Sequence, residues 1–144
     1  MNLIHLDSVG STNDYVAEQV RLGAPDGLWV RADVQTAGRG RHGRNWMAEP
    51  GNLFISTLIR PQPGEGTLPQ LSFVAALALD DALRPWVPAE RLAIKWPNDL
   101  LLDGAKLSGI LLEGCGNAVV AGFGVNLQAR PELDRPTMSL KDAG

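Results

Sequence analysis

Hydrophobic and polar side chains along this chain alternate in short blocks separated by Gly and Pro, and the blocks predict strands and helices rather than a repeat. Residues 28–35, LWVRADVQ, carry apolar side chains at every second position from Leu28 to Val34, which is typical of a half-buried strand. Residues 69–82 space their apolar side chains as a helix does, and Pro69 suits its first turn. We expect this helix to turn the following side chains toward the core: Leu71, Val74, Ala75, Ala78, Leu79 and Ala82.

The remaining blocks complete an α+β domain. Ser11, Thr12 and Asn13 offer N-caps for a first helix that ends near Gly23. The Asp-Gly pair at 103–104 lies between apolar runs, which is a strong hairpin signal, so the second half is predicted to be an antiparallel meander. Further strands are expected at residues 3–6, 52–60, 92–96, 100–102, 106–113 and 118–126. The predicted fold class is α+β, with a mixed, largely antiparallel sheet of about seven strands and helices packed on it.

Composition and charge exclude several classes of protein. The chain has 144 residues, of which 44% are hydrophobic and 20% charged, a balance typical of one globular domain. Its net charge of −3 gives no overall attraction for nucleic acid or anionic lipid. Cys115 is the lone cysteine, and no segment has the pattern of a signal peptide or a membrane helix. We therefore expect a cytoplasmic protein with no membrane or nucleic-acid partner.

The loop at residues 38–44, GRGRHGR, places three arginines in seven positions of an acidic chain. Glycines let backbone N–H groups face an anion, and guanidinium groups match phosphate oxygens. The loop also fits the dinucleotide pattern G-x-G-x-x-G, but that pattern requires a helix next, whereas Pro50 and Gly51 lead into a strand. A flexible surface loop made soluble by arginine is the alternative to an anion site, and His42 is expected to be a solvated loop residue.

Three further features carry candidate chemistry, each with a structural alternative. Trp46 either stacks on a heterocycle or anchors its own loop. Residues 95–99, KWPND, read as a turn after a strand, and Lys106 at the start of an apolar strand is either desolvated beside a site or exposed in a hairpin. No spacing suits a zinc site or a hydrolase triad, and no metal ligand is predicted.

Cations without a poised base suit one kind of reaction, the attack of a substrate carboxylate on an α-phosphate. The two negative groups repel by about 4 kcal/mol at ~4 Å and an effective dielectric near 20, so neutralising them accelerates the reaction by several powers of ten. Lysine, arginine and Mg²⁺ are sufficient for that purpose.

Taken together and in order, the motifs of this chain resemble those of the catalytic domain of biotin protein ligases. The matching segments are STN at 11–13, QTAGRGRHGR at 35–44, Trp46, KWPND at 95–99, KLSGILLE at 106–113 and GFGVN at 122–126. The resemblance implies a two-step enzyme that uses ATP to make biotinyl-5′-adenylate and then transfers biotin to one lysine of a biotin carboxyl carrier protein. ATP, biotin and Mg²⁺ are the implied substrates and cofactor.

The resemblance also implies a role for each matching residue. Ser11, Thr12, Asn13 and Gln35 correspond to the biotin pocket. Arg39, Gly40 and Arg41 correspond to the loop that closes over biotin and the adenylate. Arg44 would hold phosphate, Trp46 would lie against adenine, and Asn98 and Asn126 belong to the nucleotide and Mg²⁺ side. Lys106 matches the essential lysine that bridges the biotin carboxylate and the α-phosphate, so the catalytic candidates are Lys106, Arg39 and Arg41.

Two departures from the family pattern shape the expectations. Residues 1–144 are predicted to form an incomplete catalytic domain, because the family continues with further helices and an SH3-like domain, and two helices leave part of the sheet uncovered. No helix-turn-helix segment precedes Met1, so a monofunctional ligase is expected. The alternative functions are a biotin-binding module without full ligase activity, a relative of the lipoate ligases or octanoyl transferases, and a protein that binds nucleic acid through the arginine loop. The choice between monomer and homodimer stays open.

Overall fold

A computed structural model describes residues 2–144 and shows one sheet with a helix on each side. The strands are β1 (Asn2–Val9), β2 (Leu28–Gln35), β3 (Leu53–Ile59), β4 (Leu92–Lys95), β5 (Asp99–Leu102), β6 (Ala105–Cys115) and β7 (Ala118–Val125), and the helices are α1 (Thr12–Arg21) and α2 (Leu68–Leu83). The seven strands lie in the order β1-β2-β3-β7-β6-β5-β4, parallel between β1 and β2 and antiparallel elsewhere. The predicted mixed, largely antiparallel sheet is confirmed.

Helix α1 covers one face of the sheet over β2, β3 and β7. The predicted alternation in β2 holds for Leu28, Val30 and Ala32, which are buried, whereas Val34 near the strand end is 38% exposed. Val16 of α1 packs with Leu28 and Val30 in one buried cluster. Ser11 has extended backbone at the N-cap, so the helix begins where the polar triplet predicts, and its side chains at that end lie over the sheet.

Helix α2 covers the opposite face over β4, β5 and β6. Its N-terminus is fixed by Gln70 Oε1, which accepts a hydrogen bond from Thr67 N at 2.7 Å. The predicted core stripe is partly wrong. The buried apolar side chains are Ala75, Ala76, Leu79 and Leu83, while Val74, Ala78 and Ala82 are exposed. The helix is apolar on nearly all sides, so spacing alone does not decide which stripe meets the sheet.

The second half forms the predicted meander. Asp103 and Gly104 have φ values of 50° and 80°, the left-handed backbone that a tight hairpin turn between β5 and β6 requires. After β7, an unpredicted segment returns to β6, where Lys106 N donates to Pro136 O and Met138 N donates to Lys106 O, both at 3.0 Å. Neither α1 nor α2 has the length and apolar content to span a lipid bilayer, and the rest of residues 2–144 contains no longer helix.

Candidate active site

A cavity of about 490 Å³ opens where the N-terminus of α1, the arginine loop, the turn at 96–99 and strands β6 and β7 meet. The fold brings all but one of the predicted site residues to its wall. These are Ser11, Thr12, Asn13, Gln35, Arg39, Gly40, Arg41, Arg44, Trp46, Asn98 and Lys106. Residues more than ninety positions apart in sequence thus share one cleft, as a ligand site requires.

An uncharged hydrogen-bonding cluster forms one part of the wall. Gln35 Oε1 accepts from Thr12 N at 2.7 Å and from Thr12 Oγ1 at 2.9 Å. Ser56 Oγ, which is fully buried, lies 2.7 Å from both Thr12 Oγ1 and Asn13 Oδ1. Asn13 Nδ2 in turn donates to Leu111 O at 3.3 Å. These amides and hydroxyls are fixed before any ligand arrives, which suits recognition of a neutral ring with its own donors and acceptors.

Lys106 lies in a second, charged cluster on the same cavity. Its Nζ donates to Asp99 Oδ1 at 2.5 Å, and only 9% of its side chain is exposed. Arg135 Nη1 lies 3.6 Å from the other carboxylate oxygen of Asp99. Burial lowers the pKa of Lys106 below its ordinary value, against the opposing effect of Asp99 and with the help of the nearby positive charges of Arg135 and Arg44. The sequence alternative of a solvent-exposed hairpin lysine is therefore wrong.

Trp46 lies flat against two paired glycines of the sheet, Gly109 on β6 and Gly124 on β7. A methyl group on Gly124 would lie 2.6 Å from Trp46 Nε1, and one on Gly109 would lie 2.7 Å from Cζ3, so only glycine admits the ring. Lys106 Nζ is 5.5 Å from the ring centroid, within the range of a cation–π contact. The expectation that Trp46 anchors its loop is supported, and its contact with adenine stays a prediction.

The arginines of the loop differ in their partners. Arg39 donates to both oxygens of Glu113, at 2.6 and 2.9 Å, and to Asp14 Oδ1 at 2.5 Å. Arg41 Nη1 donates to Asn98 Oδ1 at 3.3 Å, and both residues line the cavity. Within residues 2–144, neither Arg41 nor Arg44 forms an ion pair. The loop thus presents to the cleft two guanidinium groups whose charge no carboxylate of residues 2–144 pairs with, while Arg39 is held by two carboxylates.

Asn126 lies off the wall of the main cavity and lines an adjoining space of about 40 Å³ together with Trp46 and Lys106. Among residues 2–144, no group forms a hydrogen bond with its buried Oδ1 or with Trp46 Nε1. His42 is exposed, as predicted.

Four polar or charged side chains that contact the predicted residues were not singled out from the sequence. They are Ser56, Asp99, Glu113 and Arg135. Asp99 and Glu113 belong to motifs that carry the family resemblance, so the motifs held a signal for them; Ser56 and Arg135 lie in no such motif.

Comparison with known proteins gives consistent matches. The model of the biotin/lipoate A/B protein ligase family matches residues 6–128. A biotin–[acetyl-CoA-carboxylase] ligase of Paracoccus denitrificans is 52% identical over 130 residues, which cover 85% of this chain and 53% of that protein. The corresponding ligase of Mycobacterium tuberculosis is 42% identical, covering 94% of this chain and 53% of that protein. The chain thus spans about half the length of these relatives.

Solved structures show the same fold. The biotin protein ligase of Leishmania major in complex with biotinyl-5-AMP superposes with a TM-score of 0.90 at 29% identity, covering 99% of this chain and 64% of that one. The biotin protein ligase of Aquifex aeolicus in complex with biotin and ATP gives a TM-score of 0.85 at 33% identity, covering 99% and 60% of the two chains.

Proposed function

The chain belongs to the biotin/lipoate A/B protein ligase family, and from that membership we propose that residues 1–144 belong to the catalytic domain of a biotin protein ligase. The proposed enzyme joins biotin to AMP with release of pyrophosphate, and then passes the biotinyl group to a lysine of a biotin carboxyl carrier protein. Relatives named as biotin ligases, and neighbours solved with biotinyl-5-AMP or with biotin and ATP, support the choice of biotin.

The observation that carries the proposal is the position of Lys106. Its buried ammonium lies on the cavity that the Thr12, Asn13 and Gln35 cluster also lines. The uncharged cluster suits a ureido ring, and the ammonium suits the two anions that must meet, a carboxylate and an α-phosphate. One cavity therefore offers both a neutral pocket and a cation, which supports the proposal that Lys106 would bridge the two negative groups.

The proposed first step needs no general base. A biotin carboxylate oxygen attacks the α-phosphorus of ATP, a new O–P bond forms, and the bond to the bridging oxygen breaks as pyrophosphate leaves with its electron pair. Lys106 and Arg44 would offset the repulsion between nucleophile and phosphate, which is about 4 kcal/mol at ~4 Å. In the second step the neutral amine of the acceptor lysine attacks the acyl carbon, AMP leaves, and the amine loses a proton.

Mg²⁺ is part of the proposal as the ion that accompanies the phosphates of ATP. Residues 2–144 contain no group of three or more His, Cys, Asp or Glu side chains that could enclose a metal. Asn98 on the cavity wall and Asn126 beside it carry amide oxygens, which fits an ion that takes one or two protein ligands and fills its shell with phosphate and water. In this structure Asn98 Oδ1 accepts from Arg41, so that bond would give way to the ion. We propose the cytoplasm as the location, since that compartment supplies ATP.

Biotin-dependent exchange of label between pyrophosphate and ATP tests the first step with the purified chain. We expect exchange by the wild-type protein, and a loss of about 10²- to 10³-fold in Lys106→Ala, since removing the cation restores several kcal/mol of repulsion. Lys141→Ala is the matched control, because Lys141 is exposed and lies away from the cavity wall. Exchange that is equal in Lys106→Ala and wild type would remove Lys106 from the chemistry.

The same preparation distinguishes the alternative functions. A biotin-dependent rise in the thermal midpoint without exchange indicates a binding module. Exchange that depends on lipoate or octanoate and not on biotin indicates the related acyl-transfer enzymes. Labelling of an added carrier domain at one lysine, read by mass spectrometry, tests the second step.

A further inference from the structure

Glu113 lies outside the residues predicted to touch a substrate, yet it holds two residues that line the cavity. Its Oε1 accepts from Arg39 Nη1 at 2.6 Å, and its Oε2 accepts from Arg39 Nη2 at 2.9 Å and from Asn13 Nδ2 at 2.8 Å. Arg39 and Asn13 line the cavity, whereas Glu113 does not. One carboxylate on β6 thus connects the arginine loop to the N-terminus of α1.

The bond to Asn13 decides which way its amide points. Since Nδ2 donates to Glu113 and to the backbone of Leu111, Oδ1 is left facing Ser56 Oγ at 2.7 Å. A carboxylate only accepts hydrogen bonds, so an amide turned the other way would place its oxygen against the negative charge. Glu113 therefore fixes the donor and acceptor pattern that the uncharged cluster presents.

The bond to Arg39 anchors the first half of the loop. The second half is held by the packing of Trp46 on Gly109 and Gly124, and the middle by the single contact of Arg41 with Asn98 at 3.3 Å. Arg39 instead makes a bidentate pair, the arrangement in which guanidinium and carboxylate bind most strongly. Glu113 is the main anchor, because Asp14 makes one bond and its side chain is 60% exposed, against 34% for Glu113.

The charge state of Glu113 agrees with this role. Burial acts against ionisation, but the hydrogen bonds from Arg39 and Asn13 outweigh it and hold the pKa of the carboxyl below its ordinary value. The anchor is therefore charged at neutral pH.

We propose that Glu113 is a positioning residue of the ligase: through Arg39 it holds the arginine loop across the cavity, and through Asn13 it sets the orientation of the biotin pocket. The kinetic part of this inference rests on the proposed function, whereas the anchoring of the loop does not. Glu113→Gln separates the two effects, because its amide oxygen can still accept from Asn13 but the ion pair with Arg39 is lost.

Limited proteolysis tests the anchoring without any need for activity. Trypsin cuts after Arg41 and Arg44, which are exposed, when the loop opens. We expect Glu113→Gln to be cut in the loop about 3- to 10-fold faster than wild type, the range for loss of a partly exposed bidentate pair. Glu18→Gln is the matched control, since Glu18 accepts from Arg21 at 2.8 Å in an exposed pair on the outside of α1.

A double variant tests whether Glu113 holds the loop through Arg39. Arg39→Gln removes the other partner of the same ion pair. Adding Glu113→Gln to Arg39→Gln should therefore not speed cleavage at Arg41 and Arg44 any further. Equal loop cleavage in Glu113→Gln and Glu18→Gln overturns the inference. So does faster cleavage at sites throughout the chain with a lowered thermal midpoint, which is what a merely structural role produces.

Exchange kinetics test the consequence for substrate. We expect Glu113→Gln to raise the KM for biotin about 3- to 10-fold and to leave the KM for ATP unchanged, because the lost ion pair holds Arg39 beside Asp14 at the N-terminus of α1, where Asn13 also lies. An unchanged KM for biotin despite a faster-cut loop overturns the positioning role. If the wild-type chain itself shows no exchange, the proposed function fails, and the proteolysis of Glu113→Gln against Glu18→Gln still decides whether Glu113 anchors the loop.

Discussion

Replacing Gly124 by alanine should weaken ATP binding by moving a single ring. The new methyl group would lie 2.6 Å from Trp46 Nε1, whereas ordinary contacts begin near 3.4 Å, so the indole must withdraw by at least about 0.8 Å. Strand β7 cannot yield instead, because Gly124 is paired with Phe54 of β3 on one side and with Gly109 of β6 on the other. Trp46 is on a loop with exposed neighbours, so the loop yields.

The size of the effect follows from what the ring loses. A trapped ring would cost about 1–3 kcal/mol of stability through overpacking. A ring that leaves the sheet avoids that cost but gives up the glycine surface and its position 5.5 Å from Lys106 Nζ. Stacking of a base on an aromatic side chain contributes about 1–3 kcal/mol, so the KM for ATP should rise about 5- to 160-fold with little change in thermal midpoint.

Exchange kinetics and thermal unfolding of the same variant check this prediction. Gly114→Ala is the matched control. Gly114 lies on the neighbouring strand β6, and a methyl group there meets no heavy atom within 4 Å. A KM for ATP within about twofold of wild type in Gly124→Ala would refute the reasoning, since it would mean that Trp46 does not contact the nucleotide.

Three further variants address the other parts of the site. Arg41→Gly removes the contact with Asn98, so the acyl-adenylate should escape and biotinylation of an added bystander protein should rise on a streptavidin blot; an unchanged blot contradicts a closing role. Asp99→Asn removes the carboxylate that raises the pKa of Lys106. Because exchange needs the charged ammonium, its rate should fall off at a lower pH in this variant than in wild type. An unchanged alkaline side of the pH–rate profile contradicts this role of Asp99. Gly122→Ala drives a methyl group into the Asn13 amide and should raise the KM for biotin more than the KM for ATP, and equal changes in the two constants would contradict the assignment of Asn13.

The fold was largely predictable because its signals are local. The alternation in β2 and the Asp103-Gly104 turn each depend on neighbouring residues. The structure confirms the alternation from Leu28 to Ala32 and the turn. The stripe of α2 was not predictable in detail, because a helix with apolar side chains on most sides offers several faces. Val74 was expected inside and is 58% exposed, while Ala76, which the spacing omitted, is fully buried. The sheet, not the helix, selects the buried face.

The site divides in the same way. Motif residues such as Thr12, Gln35 and Lys106 were predictable as members of one site, because the family resemblance names them together, and the structure places them on one cavity. The resemblance gives no distances between them. The partners that control them were not. Asp99 begins strand β5, and its side chain contacts Lys106, seven positions later in the chain. Glu113 contacts Arg39, from which it is separated by 74 positions. Such pairs depend on strand register and loop path, which composition and spacing do not encode.

The pairing of charges explains how a site rich in cations can exist in an acidic chain before its substrates bind. Lys106 is nearly buried, and an unpaired ammonium there would be costly, so Asp99 keeps it charged. An incoming phosphate must then draw Lys106 away from Asp99, which would leave a carboxylate buried in its turn. Arg135, 3.6 Å from the second oxygen of Asp99, is placed to keep that carboxylate paired. The guanidiniums of Arg41 and Arg44 can therefore capture phosphate first, and the buried lysine can follow without leaving an uncompensated charge behind.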